Sequence, residues 1–317
     1  TLRLGIVGTL DDVALTVADF DAMRARMLEA AGAVMSAPRA SPEDRQEARA
    51  FLNWLADGSF TFLGSRIYTF ARNAEGGLAN EEPDIIVESG LGILRDPERA
   101  VLRRGSEPSV LTPAIQSFLE VPTPLIVAKS NMRSRVHRRT YADYIGIKRY
   151  GTTGEVIGEI RFVGLFTAEA YNRQTCDVPL LRRKVERVIA SLGARPGSHN
   201  ANVLQNIVET LPRDELFQIE IDDLAQLAMG LMHLMDRPKA KLFIRRDQFD
   251  RFLSALFFCP RERYTADLRQ KVGALIARSF GGRISAYYPQ FSETPLARVH
   301  FIVGLDRGHP EPDISQL

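Results

Sequence analysis

An α+β fold is predicted, with antiparallel sheet modules joined by a helical segment, and three observations predict it. The C-terminal third runs α-β-β-α-β-β. Two strand-like runs, "DYIGIKRY" and "EVIGEIRFVGLFT", face each other across "GTTG", whose Gly151 and Gly154 suit a tight hairpin loop. Between these regions "DVPLLRRKVERVIASLG" sets Leu181, Val185, Val188 and Leu192 at helical spacing, with Gly193 as a stop.

Taken in order, residues 1–40 read as the remnant of a preceding α/β domain. "LRLGIV" reads as a strand, and "VADFDAMRARMLEAAG" as a helix with Phe20, Met23, Met27 and Ala30 on one face. "SAPRAS" breaks that pattern. Ser41-Pro42-Glu43-Asp44 then starts a helix, because Ser caps, Pro fits the first turn and acids favour the positive end. Phe51, Leu52 and Leu55 form its apolar face until Asp57-Gly58 ends it. Strands are expected over 59–70 and 83–94, a short helix over "TPAIQSFLE", and antiparallel sheet over 133–167. Together these make a sheet domain at 41–175.

Residues 176–238 read as a helical linker segment, continued by "NANVLQNIVETLP" and "DDLAQLAMGLMHLMDRP", with Met229, Met232 and Met235 as a core stripe. The second sheet domain is expected at 239–306. "AKLFIRRD" and "RFLSALFFCP" form a hairpin, "TADLRQKVGALIARSF" a helix, and "RISAYYPQF" and "RVHFIVGL" two strands. With the preceding helix this is the order β-α-β-β-α-β with its first strand moved to the end, a ferredoxin-like two-layer sandwich. Leu268, Val272, Leu275 and Ile276 should face the sheet, with Val299, Phe301 and Val303 alternating toward them. Residues 41–167 look like a longer version of the same unit, and 307–317 read as a linker.

Composition narrows the function. Lys plus Arg total 41 against 39 Asp plus Glu, a net charge of +2, and the pI is about 8.6. Nucleic-acid binders concentrate more base than this, so no nucleic-acid partner is expected and any bound anion should be small. No apolar run reaches the ~18 residues of a membrane span. Cys176 and Cys259 are too few for a disulfide framework, which fits a reducing cytoplasm. The beginning "TLRLGIVG" and the end "DRGHPEPDISQL" are those expected of a piece of a longer polypeptide.

The strip "RSRVHRRTYADYIGIKRY" (133–150) looks most like a site. In an extended strand Arg133, Arg135, His137 and Arg139 point one way, and Ser134 and Val136 the other. The charged face is either solvated and paired with acids such as Glu155 or Glu159, which ranks first, or a pocket for a carboxylate or phosphate, whose geometry the planar guanidinium matches. Catalytic signatures are absent. "ESGLGILRD" offers Gly90 and Gly92 but has Arg95 where a dinucleotide fingerprint needs its third glycine. No phosphate loop, nucleophile elbow or metal-spaced histidine pair occurs. His300 alternates with Arg298 on the last strand and reads as satisfied or exposed, and Cys259 as a small buried hydrophobe. No catalytic, cofactor or metal residues are therefore expected in this chain.

Several long motifs, in one order, resemble the N-terminal half of the large bacterial NAD-specific glutamate dehydrogenases. They are "FLNWLADGSFTFLGSRIYTF", "RSRVHRRTYADYIGIKRY", "EIRFVGLFTAEAYNR", "DVPLLRRKVERV", "ETLPRDELFQI", "LFIRRDQFDRFLSALFFCPRERY" and "SETPLARVHFIV". They span nearly everything after residue 40. The resemblance implies ACT-like modules, which are ferredoxin-like and commonly bind amino acids. It also implies a parent enzyme that converts L-glutamate to 2-oxoglutarate and ammonia with NAD. The chain would then be a regulatory and oligomerisation segment, partnered by the C-terminal catalytic region of the same polypeptide, forming a homo-oligomer and taking an amino-acid or other small effector. The alternative is an assembly scaffold without a ligand.

Overall fold

The structure, a computed structural model, describes residues 2–99, 101, 111, 113–136, 140–249, 251–292 and 294–305. It opens with helices α1 (Leu2–Ala18) and α2 (Phe20–Ala33). The strand reading of "LRLGIV" is corrected: those residues lie in α1, where the apolar spacing Leu10, Val13, Val17 carries one helical period onward without a turn signal. Met23 and Met27 are fully buried, and α2 packs against β1 (Phe60–Thr69) and against α3 (Pro42–Trp54).

Helix α3 starts as its sequence directs. Ser41 Oγ accepts the Asp44 N–H at 3.0 Å, and Pro42 occupies the first turn. A wider turn, Leu55–Ser59, ends it where Gly58 takes φ +101°, a conformation that costs glycine least. β1 follows, then β2 (Asp84–Gly92), α4 (Pro113–Glu120), β3 (Leu125–Arg133), β4 (Tyr141–Tyr150), β5 (Val156–Phe166) and α5 (Ala168–Asn172). The sheet is antiparallel, in the order β2-β1-β5-β4-β3. One face carries aromatic packing: Phe60, Phe62 and Phe166 meet edge to face, and Trp54 stacks on Phe51 at 5.7 Å.

The next helices are α6 (Leu181–Ser191), α7 (His199–Glu209), α8 (Arg213–Gln218) and α9 (Ile221–Asp236). The chain divides within α6 into two compact units, Thr1–Val185 and Glu186–Leu317. In α9 the buried stripe is Leu224, Leu227, Ala228, Leu231 and Leu234, while Met229, Met232 and Met235 are half-buried at its margins. Then come β6 (Lys241–Arg246), β7 (Phe252–Pro260), α10 (Ala266–Ser279), β8 (Gly282–Phe291) and β9 (Leu296–Leu305).

The second sheet is antiparallel in the order β6-β7-β9-β8, which is the ferredoxin-like order with the first strand moved to the end. The α+β class with antiparallel modules holds. Two details of the reading are corrected. The first sheet is no longer copy of the second, because its first strand pairs with its last and its second strand forms an edge. The second sheet is covered on both faces rather than one. Ile276 and Phe280 lie in one core with Leu253, Phe257, Val299 and Phe301. On the other face, Gly230 of α9 leaves room for the Phe243 ring, which a Cβ would meet at 2.8 Å. The cause is visible in the strands: Phe243 and Phe258, 5.9 Å apart and edge to face, belong to the alternate set of positions and need burial of their own.

Candidate functional site: a basic cavity at the end of the first sheet

The sequence strip divides in the structure. Strand β3 stops at Arg133, opposite Tyr141, so among the described residues the strand does not continue over 134–136. Ser134 ends the strand by turning its polar groups on the neighbouring backbone. Its N–H donates to the Thr140 carbonyl at 2.8 Å, its Oγ donates to the Val136 carbonyl at 2.6 Å, and the same Oγ accepts the Val136 N–H at 3.2 Å. The alternation itself persists: Ser134 and Val136 are buried, Arg133 and Arg135 exposed. His137 and Arg139 lie outside the described residues.

Arg133 and Arg135 line a cavity of about 300 Å³, a size at the lower end of small-molecule sites. Its apolar walls are Leu63, Ile93, Met132, Val136 and Ala142. Two further charged residues, Asp12 and Arg99, were missed by the sequence reading. Their guanidinium and carboxylate pair at 2.5 Å, and Asp12 is almost fully buried. Burial pulls the Arg99 pKa down, but the Asp12 hydrogen bond and charge outweigh it and leave the group raised. Seven residues along from Asp12, Asp19 takes the side chain of Arg95 at 2.5–2.6 Å and the Gly92 N–H at 2.7 Å. The matching spacings, seven between the two aspartates and four in "RDPER", are the trace this pairing leaves in the sequence.

The acids expected to neutralise the strip serve elsewhere. Glu159 is buried, accepts the Tyr144 hydroxyl at 2.6 Å and pairs with Arg161. Burial, then the Glu159 charge, pushes the Tyr144 phenol well up. Glu155 accepts the Thr153 N–H and hydroxyl within its own hairpin, and Asp143 pairs with Lys129 at 2.5 Å. Arg133 instead stacks on the Tyr141 ring, 4.8 Å from its centroid. Among the described residues neither Arg133 nor Arg135 is paired with a carboxylate.

In the second unit His300 is buried and satisfied. Its Nε2 lies 2.8 Å from Ser254 Oγ, which donates to Glu215 at 2.6 Å. Arg245 pairs with the same carboxylate at 2.5 Å. Burial, the largest influence on Glu215, raises its pKa, yet Arg245, His300 and Ser254 outweigh it and hold the group at about 2. This cluster is sealed inside the unit and ties β6, β7 and β9 to α8. Cys259 is buried, and burial raises its thiol pKa. Among the described residues no group of three or more His, Cys, Asp or Glu side chains could hold a metal ion, and no helix is long and apolar enough to cross a membrane.

Residues 241–317 match the glutamate dehydrogenase ACT2 domain, and residues 178–237 match glutamate dehydrogenase helical motif 1. Fold and matches together define an ACT-bearing α+β protein. The chain is 38% identical to an NAD-specific glutamate dehydrogenase of Halomonas elongata, an alignment covering 100% of this chain and 19% of that protein. Its identity to the NAD-specific glutamate dehydrogenase of Pseudomonas aeruginosa is 35%, covering 96% of this chain and 18% of the relative. For the Mycobacterium tuberculosis protein of that name it is 33%, covering 93% and 17%. The chain is similar to an N-terminal portion of the NAD-specific glutamate dehydrogenases, and spans about a fifth of the length of these relatives. Among solved structures, a blue-light activated histidine kinase of Erythrobacter litoralis aligns over 76% of this chain and 95% of that one at 8% identity, with a TM-score of 0.19.

Proposed function

We propose that this chain is a regulatory and assembly segment of a cytoplasmic polypeptide that oxidatively deaminates L-glutamate to 2-oxoglutarate and ammonia using NAD. The chain itself is not catalytic in this reading. It binds a small anionic effector, an amino acid or a related acid, in the cavity lined by Arg99, Arg133 and Arg135. Its modules are a sheet domain ending near residue 175, a helical segment to 238 and an ACT-like domain over 239–306, followed by a linker, and the parent chain is a homo-oligomer. The names of the relatives support the activity and the cofactor, and the ACT2 match supports the regulatory role.

The observation that carries the effector reading is the cavity's charge. Among the described residues three guanidinium groups line it and one carboxylate, Asp12, is paired with Arg99. Guanidinium forks match carboxylate and phosphate oxygens, so a small anion is the natural complement. Thermal unfolding of the 317-residue chain against amino acids, their 2-oxo acids and inorganic phosphate tests this. A ligand at 100 times its Kd adds about 2.7 kcal/mol. Stabilisation by at least one of these anions, lost in Arg135→Ala, is expected. No stabilisation by any of them makes the strip a structural feature and leaves the scaffold without a ligand as the function.

A further inference from the structure

The cavity's walls and charges constrain more than the sign of its occupant. Five of its lining side chains, Leu63, Ile93, Met132, Val136 and Ala142, are hydrocarbon or thioether. They belong to different segments and would surround the body of a ligand. An uncharged polar or ionic body placed among them loses water without regaining hydrogen bonds, whereas an aliphatic one gains from leaving water.

The positive side is equally specific. Asp12 is the only carboxylate on the described lining, and it is committed: the Arg99 guanidinium holds it at 2.5 Å, and it is 5% exposed. An α-ammonium group would therefore face Arg99, Arg133 and Arg135, with no carboxylate among the described lining residues free to receive it. Like charges at such range disfavour binding. An α-oxo group in the same place carries no charge and accepts hydrogen bonds from guanidinium donors.

We infer that the cavity selects an aliphatic carboxylic acid lacking a charged amino group, a branched or linear 2-oxo acid, over the corresponding amino acid. This rests on the reading of the cavity as the effector site and names the ligand class for it. The carboxylate is held by Arg133 and Arg135 at the mouth, and the aliphatic chain lies against Leu63, Ile93 and Val136. The complex is reversible and involves no bond breaking.

A matched pair of probes isolates the amino group, because 4-methyl-2-oxopentanoate and L-leucine share one carbon skeleton. Isothermal titration of the 317-residue chain with each, and with inorganic phosphate, at pH 7.5 reads the selection. The oxo acid is expected to bind at least 10-fold more tightly than leucine and than phosphate, and its affinity to fall at least 10-fold in Arg135→Ala and in Arg133→Ala. Circular dichroism of the two exposed-site variants should match the parent chain, so that lost binding is not lost fold. Leucine binding as tightly as its oxo acid overturns the ligand class while keeping the site. Phosphate binding in preference to both overturns the aliphatic body. An absence of heat with all three overturns the cavity as an effector site together with this inference, and affinity unchanged in both arginine variants places the site elsewhere.

Discussion

The Ser254 hydroxyl stands between an ionised carboxylate and a histidine, and that position fixes where a proton must be. Glu215, held at about 2, only accepts hydrogen bonds, so the hydroxyl proton goes to it. His300 Nε2 must then donate to Ser254 Oγ, which makes the neutral ring an Nε2–H tautomer. Burial, chiefly, lowers the His300 pKa and keeps the ring neutral. Both groups have folded pKa values below their unfolded ones. Their contribution is present above the unfolded values, near 6.5 for His300 and 4.5 for Glu215, and is lost as pH falls through the folded values. For Glu215 the loss runs from about 4.5 to about 2, on the order of 3 kcal/mol. Glu215→Gln should lower stability at pH 7 by about 3–5 kcal/mol, because Arg245 is left buried without its partner, and should flatten the acid limb below pH 4.5. Urea unfolding followed across pH 2.5–8 checks this. Parallel profiles for the two proteins would show that the carboxylate does not carry the acid sensitivity.

At the scale of the element, α10 shows how far periodicity carries. Its apolar positions were legible, and Leu268, Val272 and Ile276 do pack on the sheet beside Gly273 and Phe280. Leu275, assigned to the same face, is only half-buried and stays outside that core. At 100° per residue, neighbours 275 and 276 cannot both point at the centre of a sheet, and the smaller contact at Gly273, where a Cβ would meet Phe301 at 3.2 Å, rolls the helix toward Ile276. Ile276→Ala should therefore cost about 2–5 kcal/mol, and Leu275→Ala less than half of that, as read from denaturant midpoints at constant slope. Equal costs would return Leu275 to the core. Strand β3 marks the opposite limit. Alternating charge over 133–139 suggested a continuous strand, because nothing in the residue pattern distinguishes a strand from a turn whose Ser134 side chain competes for the backbone. The two cavity residues seen in advance, Arg133 and Arg135, were legible as a local run. Arg99 and Asp12 were not, since their partnership joins segments 87 residues apart and depends on how α1 lies over the sheet.

Across the whole molecule, a net charge of +2 leaves little long-range field to gather a polyanion. Its family matches are to an ACT2 domain and a helical motif. Purified 317-residue chain supplied with NAD and L-glutamate should form no NADH above a heat-killed control, and turnover by the chain alone would overthrow the non-catalytic reading. The aromatic stack of the first unit has an experimental corollary. Trp54 is the single tryptophan of the sequence, set 5.7 Å from Phe51 and 6.2 Å from Phe166. Its emission is thus a thermometer for residues 1–185, the unit that also holds the cavity. A melt followed at the indole band registers ligand protection there, while loss of order around Ile276 or Glu215 must be sought in another spectral window.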